Sequence, residues 1–169
     1  MTHVREVVEG LAARGGTLAV AESLTGGTLT ALFVSVPGVS VVLRGGVVAY
    51  AKDLKSGVLG VDADLLQRRG AVHPEVARQM AAGAARLLGA DHALATTGVA
   101  GPGPADGHAA GTVHVAALGP GGPSGTVAVR SLHLAGGRRE VSAATVGVAV
   151  ALLGEVTFAG REQRRYRTR

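Results

Sequence analysis

Apolar residues recur along the chain with two periods, and the alternation between them outlines the fold. Val4, Val7, Val8, Leu11 and Ala12 fall on one face of a helix that Gly15-Gly16 stops. TLAVAE (17–22) is short and apolar and predicts a buried strand. The run from Gly26 to Val36 is apolar, rich in small residues and closed by Pro37-Gly38. It predicts a helix whose first turn begins near Leu24 or Thr25. GGVVAY (45–50) predicts a second strand, and KDLKSGVLG (52–60) and ADLLQRRG (63–70) predict short helices closed by glycine. Pro74 suits the first position of a helix reaching about Leu88, with His73 near its N-cap. DHALATTG (91–98) predicts a third strand. GTVHVAAL (111–118) and GTVAVRSLHL (125–134) predict a strand pair around the loop GPGGPS, and a last helix runs from Arg138 to about Val156. Helices alternate with strands until that final pair. The fold class is therefore α/β, a three-layer α/β/α sandwich with a mixed, mostly parallel central sheet.

Composition refines this picture. The 169 residues fit one domain, and neither a repeat nor a linker divides them, so residues 1–160 read as a single domain. Aromatics are only 2%, so the core must be built from Ala, Val and Leu with closely spaced helices. The Ala/Gly-rich stretches 76–88 and 142–153 allow close packing within one chain or between two copies, which leaves a homo-oligomer open. There is no cysteine, which excludes disulfides and thiolate metal sites; no metal and no cofactor is expected. The first residues, MTHVREVVEGLAARGG, carry charges through their apolar stretch, unlike a signal peptide. No run of about 18 uncharged apolar residues occurs, so no membrane span and a cytoplasmic location are expected. The net charge of +5 is concentrated in residues 161–169 (REQRRYRTR), with five Arg against one Glu. The body is nearly neutral and poor in aromatics for base stacking, so the stretch reads as a basic, frayed tail rather than a nucleic-acid site.

Three polar clusters fall at the carboxyl ends of predicted strands, where open α/β sheets bind ligands. AESLTGG follows strand 17–22 and puts Ser23 at a strand-to-helix turn. Backbone N–H groups at the helix start, with close approach allowed by Gly26 and Gly27, would make an anion or oxyanion site there. A plain helix cap accounts for the same residues. The spacing is neither a Walker A loop nor a GxSxG elbow. A serine nucleophile needs a base, and none of the six histidines has an evident carboxylate partner. Lysine is the alternative, because burial lowers its pKa readily. Tyr50 and Lys55, after strand 45–50, can both reach one small site; Lys55 and Lys52 read equally as solvated helix lysines. TTGVAGPGP (96–104) offers hydroxyls and bare amides for a phosphate or carbonyl oxygen.

The motifs AES-x-TGG, G-x-V-x-Y with a Lys five residues past the Tyr, GAV-x-x-EV (70–76), TGVAGP and GTV (111–113) occur in this order from about Val7 to Leu153. In this they resemble the CinA C-terminal domain family, known as nicotinamide-nucleotide amidase. The chain resembles the stand-alone form, without the N-terminal domain of the larger members. The resemblance implies hydrolysis of the carboxamide of nicotinamide mononucleotide to nicotinate mononucleotide and ammonia, without metal. Ser23, Lys55 and Tyr50 match the catalytic positions of a Ser-Lys type mechanism, with either Lys55 or Tyr50 as the immediate base. Glu22, Thr25, Gly26, Gly27, Thr97, Gly98, Ala100 and Gly101 fall in the substrate-binding stretches, and Arg138 matches a family Arg at the start of the last helix. The phosphate is expected at Arg138 or the 98–103 amides. The chain departs from the family pattern at Leu24 (commonly Cys), His73 (Ser), Gly137 (acidic) and Ser142 (a second Arg). The last departures leave a second expectation beside the amidase, a weakly active or inactive nucleotide-binding, regulatory module.

Overall fold

The computed structural model describes residues 2–158, and the basic stretch 161–169 lies outside the described residues. Helix α1 (Thr2–Ala12) leads into β1 (Leu18–Glu22), α2 (Thr28–Val34) and β2 (Leu43–Val48). Then come α3 (Lys52–Gly57), α4 (Ala63–Arg69), α5 (Pro74–Leu88) and β3 (His92–Gly98), and finally β4 (Thr112–Leu118), β5 (Val127–His133) and α6 (Arg138–Phe158). The five-stranded sheet has the order β2-β1-β3-β4-β5. β1 pairs in parallel with both β2 and β3, whereas β3–β4 and β4–β5 are antiparallel. β2, β1, β3 and β5 thus run one way and β4 the other, the mixed sheet expected.

Side-chain alternation in the central strands divides the core in two. Leu18, Val20 and Leu94 face α1, α2 and α6, where they meet Val7, Leu11, Phe33 and Leu153. Ala19, Ala21, Ala93 and Ala95 face α5, whose Val76, Ala77, Met80 and Ala84 cover them. Alanine on that face lets α5 lie close to the sheet. Gly83 extends the same logic outward: a Cβ there would overlap the Leu59 carbonyl, so glycine seats the α3–α4 connection directly on α5. The small residues of α5 are used inside the chain. Helix α6 is long and apolar enough to match a membrane span by length and composition alone. Its Val141, Val146, Val150 and Leu153 are buried in the domain, as in a core helix.

β1 lies between β2 and β3; the β1–β2 connection places α2 on one face, and the β2–β3 connection, which passes back over β1, places α5 on the other. That makes the carboxyl end of β1 a switch point, where a crevice opens. One expectation fails nearby. The helix expected from Leu24 or Thr25 to Val36 is only Thr28–Val34. Gly26 (φ 58°) and Gly27 (φ 100°) adopt left-handed backbone, which a right-handed helix cannot contain, so residues 24–27 form turns instead.

Candidate active site

The loops after β1, β2 and β3 converge on one cavity of about 520 Å³, joined by the first residue of α6. Of the residues singled out from sequence, Ser23, Tyr50, Lys55, Thr97, Gly98, Ala100, Gly101 and Arg138 line it. Glu22, Thr25, Gly26 and Gly27 do not. The Glu22 carboxylate is fully buried and turned away, accepting from the N–H groups of Gly27 (3.0 Å), Leu29 (3.0 Å) and Thr30 (2.8 Å) and from the Thr30 hydroxyl (2.6 Å). It caps α2 instead of meeting a ligand. Thr25 is buried with its hydroxyl 2.8 Å from that of Thr96, a brace between the β1 and β3 ends. The expected donors at Gly26 and Gly27 are also occupied: Gly27 N–H serves Glu22, and Gly26 N–H donates to the Ser23 carbonyl. The helix start therefore has its amides satisfied from inside, which removes it as an oxyanion site. Among the described residues, the cavity-wall amides of Leu24, Ala100 and Gly101 have no protein acceptor.

Ser23 is held at the tip of β1 by its N–H, which donates to the Thr96 carbonyl. Lys55 reaches it from the first turns of α3. Its Nζ lies 3.1 Å from Ser23 Oγ, 2.7 Å from the Ala49 carbonyl and 3.1 Å from the Tyr50 carbonyl. The side chain is only 1% exposed. Two of these three partners are carbonyl oxygens, which can only accept. A neutral amine has two hydrogens and one lone pair. As the ammonium Lys55 donates to all three; once neutral, with its two hydrogens kept on Ala49 and Tyr50, it turns its lone pair to the Ser23 hydroxyl. Burial lowers the Lys55 pKa from 10.5 to about 8, with Asp106 opposing the shift and Lys52 adding to it. Tyr50 contributes its carbonyl to this arrangement; its phenol stands at the cavity rim, 62% exposed.

The lowered pKa has a consequence for stability. Between pH 8 and 10.5 the unfolded chain binds more protons at Lys55 than the folded one, so stability due to this residue rises with pH across that window. Below pH 8 both states are charged and the folded state bears the full cost of burying the ammonium. Denaturant titrations of wild type and Lys55→Met are expected to diverge in favour of wild type by about 3 kcal/mol from pH 7.5 to 10.5. A difference independent of pH would contradict the buried, titrating amine.

Other wall residues are set by local bonds. Thr97 donates to the Ala71 carbonyl at 2.8 Å and ties β3 to the turn before α5. His73 accepts from Glu75 N–H at 3.2 Å and caps α5, the service a serine would render, so this departure from the family pattern is absorbed locally. Gly137 N–H donates to Glu140 at 2.7 Å, which closes the first turn of α6 beside Arg138. Lys52 and Asp106, paired at 2.8 Å, also line the cavity. Sequence reasoning missed them as site residues. One signal was available: Lys52 and Lys55 are the only lysines in a chain whose other strong cations are all arginine.

Comparison with known proteins agrees with this architecture. A family model described as the CinA C-terminal domain matches residues 1–157. A CinA-like protein of Frankia casuarinae is 50% identical over 131 residues, which make up 78% of this chain and 29% of that protein. A CinA-like protein of an Anaeromyxobacter species is 52% identical over 128 residues, 75% of this chain and 30% of that protein. The chain thus spans about three tenths of the length of these curated relatives. Among solved structures, a CinA superfamily protein from Klebsiella pneumoniae superimposes with a TM-score of 0.86 at 35% identity, covering 92% of this chain and 96% of that one. The competence/damage inducible protein CihA from Agrobacterium tumefaciens has a TM-score of 0.86 at 33% identity, covering 92% and 93%.

Proposed function

The chain belongs to the CinA C-terminal domain family, and on that premise we propose that it is an amidase converting nicotinamide mononucleotide to nicotinate mononucleotide and ammonia. The observation that carries this reading is the three-point seat of Lys55, two carbonyls and the Ser23 hydroxyl around one buried amine. In the first step neutral Lys55 takes the Ser23 proton while Oγ attacks the carboxamide carbon. The Lys55 ammonium then gives that proton to the departing nitrogen, the C–N bond breaks, and ammonia leaves an ester on Ser23. A water molecule, deprotonated by Lys55, attacks the ester; the proton returns to Oγ as nicotinate mononucleotide departs.

Developing negative charge on the carbonyl oxygen needs fixed donors. The Leu24 amide follows the nucleophile directly and takes the place first expected of Gly26 and Gly27. We assign the phosphate to Arg138 and the Ala100 and Gly101 amides, which line the same cavity as the dyad. A cavity of this volume accommodates a mononucleotide. We place the reaction in the cytoplasm; Val4, Val7 and Leu11 of α1 pack into the domain core.

The purified protein is expected to release ammonia and nicotinate mononucleotide in equal amounts from nicotinamide mononucleotide. A folded protein that binds the nucleotide and never turns it over would replace this reading with that of a binding module.

A further inference from the structure

The segment between β3 and β4 crosses the cavity, and one side chain fastens it there. Ala105 and His108 exchange backbone hydrogen bonds around Asp106-Gly107, both with positive φ (50° and 77°). This is a two-residue hairpin turn of the Asp-Gly kind. Its tip projects the Asp106 carboxylate to two other walls. One oxygen pairs with Lys52 Nζ on α3 at 2.8 Å, and the other accepts from Ala71 N–H at 3.1 Å. Lys52 stands one turn before Lys55 on the same short helix.

We propose that Lys52 and Asp106 work as one positioning pair for the dyad: they fasten the 99–111 loop over the cavity and balance the charge that faces Lys55. What the base does rests on the amidase reading; what surrounds the base does not. The charged and titratable groups on the surrounding elements are few. Glu22 is spent on α2, Asp53 borders a separate groove between α3 and α4, Tyr50 and Arg138 lie on the cavity wall, and His108, on the hairpin itself, acts on Asp106. The charges that act on Lys55 are Asp106, which favours its ammonium, and Lys52, which opposes it. The two act on it in opposite directions, Asp106 the more strongly.

The pair predicts shifts of opposite sign. Asp106→Asn keeps the shape and an acceptor for Ala71 but removes the negative charge and leaves Lys52 unpaired, so Lys55 titrates lower. Lys52→Met leaves Asp106 alone, so Lys55 titrates higher. Each shift should be on the order of half a pH unit. The double variant, with both charges gone, should return close to wild type. A clasp that merely loosened would admit water and move both single variants the same way.

Because the chain holds only two lysines, protein labelled with ¹³C at lysine Cε gives two signals, and Lys52→Met assigns the one from Lys55. Titrating that signal without substrate is the deciding experiment. Opposite shifts in the single variants, with the double variant restored, support the pair. Shifts of one sign, no shifts, or a displaced double variant overturn it. Hydrogen exchange at Ala71 and residues 101–110 should quicken in Asp106→Ala, and unchanged exchange would refute the clasp. The acidic limb of kcat/KM for nicotinamide mononucleotide should move in the same order as the titrations. Should the titrations behave as expected while no variant or wild type hydrolyses the nucleotide, the amidase reading falls and the pair stands.

Discussion

Ser23→Ala and Lys55→Met are each expected to lower kcat/KM for nicotinamide mononucleotide by about 10³-fold or more, roughly 4 kcal/mol of transition-state stabilisation. The two act on one proton, so their effects should not add: the double variant should be no slower than either single one. Lys55→Arg should fail as fully as Lys55→Met, because a guanidinium stays charged and has no lone pair to offer. The wild-type profile carries the same information. With Lys55 at about 8, kcat/KM should rise about tenfold per pH unit below that value and level off above it, as the neutral amine becomes the dominant form. Ammonia release measured from pH 6 to 9.5 tests both parts. Activity within tenfold of wild type in Lys55→Met would remove the base from the mechanism.

Glu22→Ala should be the most damaging substitution in the AESLTGG stretch, and its damage should be to folding. The carboxylate accepts four hydrogen bonds at zero exposure, three of them from backbone amides, of which that of Leu29 is fully buried. Bonds to a charged acceptor contribute about 1.5–3 kcal/mol each, and a stranded buried donor costs further, so a loss of about 4 kcal/mol or more is expected after allowing for relaxation. α2 is only seven residues long and cannot hold itself without this cap. Its fit to β2 is equally tight: a Cβ on Gly46 would overlap Thr30, the residue that gives Glu22 two of its bonds. Glu22→Gln, which keeps the shape and one acceptor oxygen, should recover part of the loss. Denaturant unfolding of the two variants, beside their KM values, separates the roles. A Glu22→Ala protein of wild-type stability with a raised KM would restore the substrate-binding role that the motif suggested.

Much of the architecture was legible because period and punctuation are local properties. The α5 boundaries, Pro74 to Leu88, follow from proline at a helix start and glycine after its end, and the His73 cap was readable beside them. The strand series and the mixed sheet followed from short apolar runs and the unbroken final strand pair. Ser23 and Lys55 were legible as types of residue at strand ends, and the family motifs tied them together.

What the sequence left undecided was the direction of each polar side chain. Glu22 and Ser23 are neighbours in one motif, yet successive residues leaving a strand point to opposite sides, so one caps a helix while the other faces the cavity. Gly26 and Gly27 read as open donors until their left-handed backbone and the buried carboxylate between β1 and α2 are seen together. The partnership of Lys52 with Asp106 joins α3 to the β3–β4 loop, far apart in the chain, and only the fold brings the charges within 2.8 Å. Composition, periodicity and motif order by themselves determined an α/β domain with a serine at a strand tip and a lysine on the helix after the next strand. The tertiary structure alone decided which polar groups are spent on the fold and which are left facing the cavity, because most buried donors and acceptors are claimed by partners within the fold.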